Sequence, residues 1–410
     1  MSEKRKPRHK NTHKPNLFIY GVLRIICRWL SYKRFGTVYR RNELRGKRGP
    51  IVVIANHQAA FDFVNLVRAT NKKINIVASN SFYQTLPIKK MMDMVGIIPK
   101  QQFQTTLSDM RAMKSVVEND GILGIYPAGL MCEDGLSTPI PEATYAFLKW
   151  MRSDVYVIRS YGTYFCTPKW SEKRRRGRTV ADVYRLFAKE ELEGLDVEQI
   201  RCRTEEALAF DAYRENDELK IEYEGGDDIE GLENVLYVCP HCGREFTMSV
   251  RDVNTIYCTE CGYEEKSDKC GMLTRTGEVG EEIRYVSDWA RMVLEREIER
   301  VRAGEDVTLD YEADFYVVNK YKKKFEKTAE GRVVLNREFF ILKGEGDLPV
   351  NVKVAASSFP SLPFSPGKYI EVQDGSDIYR CVFRDGKIAM KYINVLKALH
   401  AAKTFATEQK

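Results

Sequence analysis

The chain has 410 residues, 43% hydrophobic and 30% charged, with 27 Gly and 14 Pro. That is too apolar for a disordered chain and too mixed for a fibrous one, and at roughly 100–200 residues per domain it makes two to four domains. No run of about 20 uncharged apolar residues is present to span a bilayer, and no small-residue cleavage site follows an apolar core as a secretory signal requires. The net charge of +7 conceals an asymmetry: residues 1–50 carry fifteen Lys/Arg against two Glu, so the remainder stands at −6. A basic end on a mildly acidic protein implies a local anionic partner, either nucleic acid or the anionic face of a membrane.

In chain order, a basic arm from Met1 to about Lys14 reads as disordered. It leads into NLFIYGVLRIICRWL, where Arg24 and Arg28 lie one helical turn apart in an apolar stretch. Two readings stand: an amphipathic helix lying in a membrane interface, or a core helix with two snorkelling arginines. From Pro50 short apolar runs alternate with helical stretches. IVVIA (51–55), INIVA (74–78), ILGIY (122–126) and VYVIR (155–159) read as strands, and 59–70, 105–118 and 142–151 as helices, the second with Thr106 and Asp109 placed to cap it. This alternation predicts an α/β layer fold. Residues 189–234 are polar, helical at first, then a Gly/Asp-rich linker near Gly225 to Asp228. A cysteine module (239–261) and a helix (281–302) follow. From 306 to 385 period-2 segments broken by Gly, Asp and Pro predict an all-β module, closed by a helix beginning at IAMKYINVLKALHAAK.

The most specific motif is CPHC, fifteen residues, then CTEC: Cys239, Cys242, Cys258 and Cys261. Two such knuckles present four thiolates tetrahedrally to one structural Zn²⁺, a full site with no position left for catalysis. The other six cysteines are too few for a disulfide scaffold, which favours the cytosol.

The chain has five histidines, and in the α/β region there is one, His57, directly after a strand in NHQAAFD. Asp62 follows five residues later, within the first turns of the next helix, where it can fold back and hold the imidazole. Such a pair can serve as general base, because imidazole titrates near neutral pH. As a bare pattern, HxxxxD is more often a capped helix start.

The order NHQAAFD, GIIPK (96–100), YPAGLMCEDG (126–135) and VYVIRSYG (155–162) resembles the glycerolipid acyltransferases, the lysophosphatidic acid acyltransferase-like family, over about residues 15–220. The resemblance implies a mixed sheet flanked by helices and acyl transfer from a thioester of coenzyme A or acyl carrier protein to a glycerol phosphate or lysophospholipid hydroxyl. His57 and Asp62 match the catalytic pair. Asn56, Lys100, Tyr126, Pro127 and Gly129 match substrate-binding positions, Lys100 standing where the family has an arginine for the acceptor's phosphate. The chain departs from the pattern at Ala128, where the third block has glutamate, and at Arg159, near the fourth block's proline. Glu133 and Asp134 are the nearby acids available to compensate. Direct transfer needs no covalent intermediate, so Cys132 reads as a small buried thiol, and backbone N–H groups around Gly129 are candidates for the oxyanion.

KWSEKRRRGR (169–178) puts six Lys/Arg in ten residues. It reads as a site for phosphate, carrier or lipid headgroups, or as a solvated loop. The C-terminal β module resembles pleckstrin-homology or GRAM domains in the order and spacing of its segments. A nucleic-acid role is disfavoured, since residues 239–270 carry four Lys/Arg against six Asp/Glu, the wrong sign for phosphate contacts. The expected organisation is a basic arm and interfacial helix (1–48), an acyltransferase-like α/β domain (49–230), a zinc ribbon (235–267), a connecting helix (280–303) and a β-rich domain (306–404). The protein is expected to sit peripherally on the inner face of an anionic membrane. The alternative is a membrane adaptor that keeps the fold with impaired catalysis.

Overall fold

The computed structural model describes residues 13–85, 89–100, 106–319, 324–356, 359–375 and 377–408. The basic arm expected before Lys14 lies almost wholly outside them. The chain forms two compact units, residues 1–168 with 174–224, and residues 169–173 with 225–410.

The first unit is built on a seven-stranded sheet. Its strands are β1 (Val38–Asn42), β2 (Ile51–Ala55), β3 (Ile74–Ser79), β4 (Ile98–Lys100), β5 (Ile122–Ile125), β6 (Asp154–Tyr161) and β7 (Val180–Phe187), in the order β1-β7-β6-β2-β5-β3-β4. The pairs β6–β2, β2–β5, β5–β3 and β3–β4 are parallel, while β7 runs antiparallel to β6. All five residues of β2 are buried, the continuous apolar run of a central strand covered on both faces. Val52 and Ile54 face one layer, packing in a core with Met113, Val116, Leu148 and Ile200 of the helices Leu107–Glu118, Ala143–Met151 and Val197–Leu208. On the other face Gly124 of β5 meets Ile74 and Leu66 so closely that a Cβ would lie 2.9 Å from Ile74 Cδ1. Leu66 belongs to the helix Phe63–Ala69.

Local chemistry sets several of these boundaries. Thr106 accepts the Asp109 N–H at 3.1 Å and Asp109 accepts the Thr106 N–H at 3.0 Å, a reciprocal cap that starts the 107–118 helix. Asn16 caps the first helix, Leu17–Leu30, by accepting from Phe18 and Ile19. This helix settles the two readings of its arginines in a mixed way. Tyr20 and Cys27 are buried, and the Arg24 guanidinium donates to the carbonyls of Thr70 (3.1 Å) and Lys72 (2.8 Å), tying the helix to the body. Phe18, Ile25, Trp29 and Tyr32, at helical spacing, are 77%, 71%, 57% and 79% exposed. Arg24 therefore serves the fold while a wide apolar stripe faces outward. None of the described helices is long and apolar enough to cross a membrane.

The second unit holds a four-stranded antiparallel sheet, β8 (Met248–Arg251), β9 (Thr255–Cys258), β10 (Glu264–Ser267) and β11 (Leu273–Arg275), and a seven-stranded antiparallel one. The latter comprises β12 (Leu309–Asn319), β13 (Lys324–Leu335), β14 (Phe339–Glu345), β15 (Val350–Ala355), β16 (Phe364–Ser365), β17 (Tyr369–Asp374) and β18 (Asp377–Phe383), ordered β15-β14-β13-β12-β18-β17-β16. Helix Ile388–Glu408 buries Tyr392, Ile393, Val395 and Leu396, and the Tyr392 hydroxyl donates to Val333 O at 2.6 Å. The helix Val286–Arg302 docks through Trp289, whose Nε1–H donates to Val238 O at 2.9 Å.

Three expectations change in detail. The helix read from 59 begins at Phe63, because residues 59–62 form the turn that wraps Asp62 around His57. The helix read from 281 begins at Val286. The basic run 169–178 is not a free patch: Lys173 pairs with Asp228 (2.5 Å) and Glu230 (2.8 Å), Lys169 lies over the Phe364 ring, and Arg175 is 3% exposed.

Candidate active site

Parallel strands bring their carboxyl ends to one edge of a sheet, where ligands of α/β proteins bind. Here that edge carries His57 just after β2, Tyr126 just after β5, Ser160 near the end of β6 and Lys100 at the end of β4. Residues far apart in sequence thus converge because the strands beneath them are neighbours.

The Asp62 side chain makes no cap to the helix it precedes. It turns back, and its Oδ2 accepts from His57 Nδ1 at 3.0 Å, Gln58 N at 2.7 Å and Ala59 N at 2.9 Å. A carboxylate can only accept, so in the neutral imidazole the proton sits on Nδ1 and the lone pair on Nε2. The Asp62 side chain is 1% exposed and that of His57 20%, so the carboxylate is sealed and the imidazole reaches solvent. A carboxylate fixed by two backbone N–H groups is a rigid anchor for the ring. The arrangement can take a proton from a hydroxyl that reaches the exposed side of the imidazole.

Asn56 is 4% exposed, and both ends of its amide are bonded to the peptide of Ser160: Nδ2 donates to Ser160 O and Oδ1 accepts the Ser160 N–H, each at 2.8 Å. The residue matched to a substrate-binding position is thus turned inward, holding the 56–62 loop against β6. Gln58, not identified from the sequence, does similar work. It is fully buried, and its Oε1 accepts from the Thr163 hydroxyl (2.9 Å) and Tyr164 N (3.3 Å). A polar glutamine directly after His57 in NHQAAFD was the available signal.

Tyr126, Pro127, Ala128 and Gly129 make a turn closed by Gly129 N–H donating to Tyr126 O at 3.0 Å, with Pro at the second position and Gly129 at φ +70. Pro127 is buried and Gly129 exposed. Closing the turn occupies the Gly129 N–H itself, leaving other backbone N–H groups around Gly129 as the oxyanion candidates. The Tyr126 ring lies on the His57 imidazole, with centroids 4.1 Å apart and planes 21° apart. Cys132 is 1% exposed, its N–H donates to His57 O at 3.3 Å, and burial pushes its thiol pKa well up, so it stays protonated. Of the nearby acids, Asp134 accepts the Leu136 N–H at 2.9 Å and Glu133 is buried. Arg159 pairs with Glu215 at 2.6 Å, and burial pushes the Glu215 carboxyl up to about 7.

Lys100 is part-buried, and that burial lowers its pKa while Asp109 opposes the shift. Its strand lies three neighbours from β2, about 14 Å at the usual strand spacing, so Lys100 stands on the same edge of the sheet as His57 but well apart from it.

In the second unit the Sγ atoms of Cys239, Cys242, Cys258 and Cys261 lie within 4.8 Å of one another, with Cys239–Cys261 at 3.6 Å and Cys242–Cys258 at 3.8 Å. Four thiolates at tetrahedral Zn–S distances of about 2.3 Å stand about 3.8 Å apart, so the cluster is compatible with such a metal. Gly243 and Gly262, both at positive φ, follow the two knuckles.

Residues 37–167 match the Acyltransferase family. Among solved structures the chain is similar to the 1-acyl-sn-glycerophosphate (LPA) acyltransferase PlsC from Thermotoga maritima, with 16% identity, a TM-score of 0.40, and coverage of 50% of this chain and 78% of that one.

Proposed function

We propose that this chain, which carries an Acyltransferase-family domain over residues 37–167, is a peripheral membrane enzyme of glycerolipid synthesis. It moves an acyl group from a thioester of coenzyme A or acyl carrier protein to the hydroxyl of a glycerol phosphate or lysophospholipid. The observation that carries this reading is the His57–Asp62 pair, 3.0 Å apart on the carboxyl edge of the parallel strands, with Nε2 left to act.

His57 Nε2 takes the acceptor hydroxyl proton as that oxygen attacks the thioester carbonyl. The C–O bond forms, the C–S bond breaks, and the imidazolium returns the proton to the departing thiolate. Asp62 holds the ring and stabilises its cationic form. Lys100, on the same edge of the sheet, suits an acceptor phosphate. The exposed stripe Phe18, Ile25, Trp29 and Tyr32, flanked by exposed Arg28 and Lys33, suits the interface of an anionic membrane.

The proposed role of the cysteine cluster is one structural Zn²⁺ held by Cys239, Cys242, Cys258 and Cys261, which would add folding energy to the second unit. The seven strands with their terminal helix (309–408) fit a pleckstrin-homology or GRAM-like module.

A second reading, an adaptor with impaired catalysis, is favoured by one observation: Ala128 stands where the third motif has glutamate. A lipid-product assay with purified protein, acyl-thioester donors and a panel of acceptors separates the two. The expected outcome is product formation that drops about 10²–10⁴-fold in His57→Ala. Wild-type turnover equal to that of His57→Ala on every donor and acceptor sinks the enzymatic reading.

A further inference from the structure

We infer that Tyr126 is a positioning residue for His57, a clamp on the imidazole rather than a contact for the acceptor. The inference rests on the acyltransferase reading of the site but is testable apart from it. A histidine side chain has two rotatable bonds, so one hydrogen bond at Nδ1 leaves the ring able to rock about it. Asp62 supplies that one bond. Tyr126 supplies a second constraint from another element: its ring lies on the imidazole face at 4.1 Å and 21°. The edge bond and the face contact together fix the plane in which Nε2 points.

The ring is itself held firmly. Tyr126 follows β5, which pairs with β2 through Ile54 and Ile125, so the two ends that deliver Tyr126 and His57 are adjacent strands of one sheet. Pro127 presets the turn after it, and the Gly129 N–H closes that turn on the carbonyl of Tyr126 itself. Cys132, six residues on, donates its N–H to the carbonyl of His57. The 126–132 loop thus grips His57 at its backbone and at its ring.

The hydroxyl of Tyr126 is not what reaches substrate. It is buried and without a hydrogen-bond partner, and burial followed by the Asp62 charge pushes its pKa well up, so it stays neutral. After burial, the charge that acts on it most is that of Asp62. What the site draws from Tyr126 is therefore its ring.

The experiment compares Tyr126→Phe, which keeps the ring, with Tyr126→Leu and Tyr126→Met, which remove it at similar volume. Two readouts are taken: kcat against KM for the acceptor, and ¹⁵N NMR of the His57 imidazole, assigned by its loss in His57→Ala. The expected result is Tyr126→Phe within about twofold of wild type, and a fall in kcat of about 10–100-fold in the Leu and Met variants with acceptor KM nearly unchanged. The His57 Nδ1–H resonance should be sharp in wild type and Tyr126→Phe, and broadened or exchanged away in the other two. A raised acceptor KM with kcat intact in the Leu and Met variants overturns the clamp in favour of a substrate contact. A loss in Tyr126→Phe as large as in Tyr126→Leu assigns the role to the hydroxyl and overturns it as well. If no transferase activity is found in wild type, the acyltransferase reading fails alone. The NMR arm then still decides, since an unchanged His57 resonance in both ring-free variants removes the clamp.

Discussion

At the scale of single residues, the proposed mechanism separates the group that moves a proton from the group that holds it. Asp62 Oδ2 accepts from three donors, so Asp62→Asn keeps the shape but replaces an acceptor-only group with one that can donate, unsettling the tautomer of His57. Its loss of kcat should be smaller than that of His57→Ala. Lys100→Ala should mainly raise the acceptor KM, since in the proposed mechanism Lys100 binds the acceptor phosphate and moves no proton. Steady-state kinetics of the three variants check this order. Glu265 in the second unit carries a different prediction. It is fully buried, its Oε1 accepts from the Tyr263 hydroxyl (2.7 Å) and Ile283 N (2.6 Å), and its Oε2 has no partner. Burial pushes its pKa up to about 7 from 4.5. A carboxyl with a raised folded pKa favours the native state while protonated. Its contribution is complete below about pH 4.5 and is lost as pH rises through about 7. Between pH 6 and 8 the native state should lose about 1.4 kcal/mol from this group. Glu265→Gln should flatten that slope in denaturant titrations, and an unchanged slope would show that the carboxyl does not control it.

At the scale of elements, the first helix has two faces with different duties. Tyr20 and Cys27 pack inward and Arg24 is bonded to two carbonyls, while Ile25 and Trp29 stand 71% and 57% exposed. Apolar surface left outward costs the folded protein nothing to remove. Ile25→Ser with Trp29→Ser should therefore leave the melting temperature unchanged within a degree or two. The same change should weaken binding to anionic vesicles at least tenfold, at about 1.5–3 kcal/mol for each large apolar side chain buried. Vesicle co-sedimentation at low and high salt tests this, and equal binding by the double variant would place the membrane surface elsewhere.

For the whole molecule, the cysteine cluster lies beside contacts that join the second unit together. Trp289 of the 286–302 helix donates to Val238, one residue before Cys239, and meets Tyr263, two residues after Cys261, edge-on at 5.6 Å. Lys391 of the terminal helix pairs with Glu245 and Lys387 donates to Met248 O at 2.9 Å. A metal that holds the two knuckles would thus brace both helices. One equivalent of zinc per chain is expected by metal analysis. Its removal by a chelator, or Cys258→Ala, should lower the unfolding midpoint and shift the emission of buried Trp289 to longer wavelength. Metal content well below one equivalent in protein purified without chelator contradicts the assignment.

Much of this was legible in the chain itself because the forces involved act over few residues. The buried run Ile51–Ala55, the reciprocal cap of Thr106 and Asp109, the paired knuckles and the five-residue span from His57 to Asp62 are all set by local periodicity, turn chemistry and short spacing. The alternation of apolar runs with helices gave the α/β layering of the first unit and the all-β character of the second. Strand partners were a different matter. Nothing in the hydropathy of Val180–Phe187 says that it enters the sheet antiparallel to β6, or that Val38–Asn42 then pairs beside it. Those choices depend on where a long connection leaves each strand in space. For the same reason Asn56 read as a substrate contact until Ser160, 104 residues away, proved to hold both ends of its amide. Tyr126 read as part of a motif until the pairing of β2 with β5 laid its ring on His57. Sequence singled out the residues proposed to carry the chemistry. Tertiary structure decided which way they face, because a side chain's direction follows from the neighbours its strand or helix acquires, and those neighbours are distant in the chain.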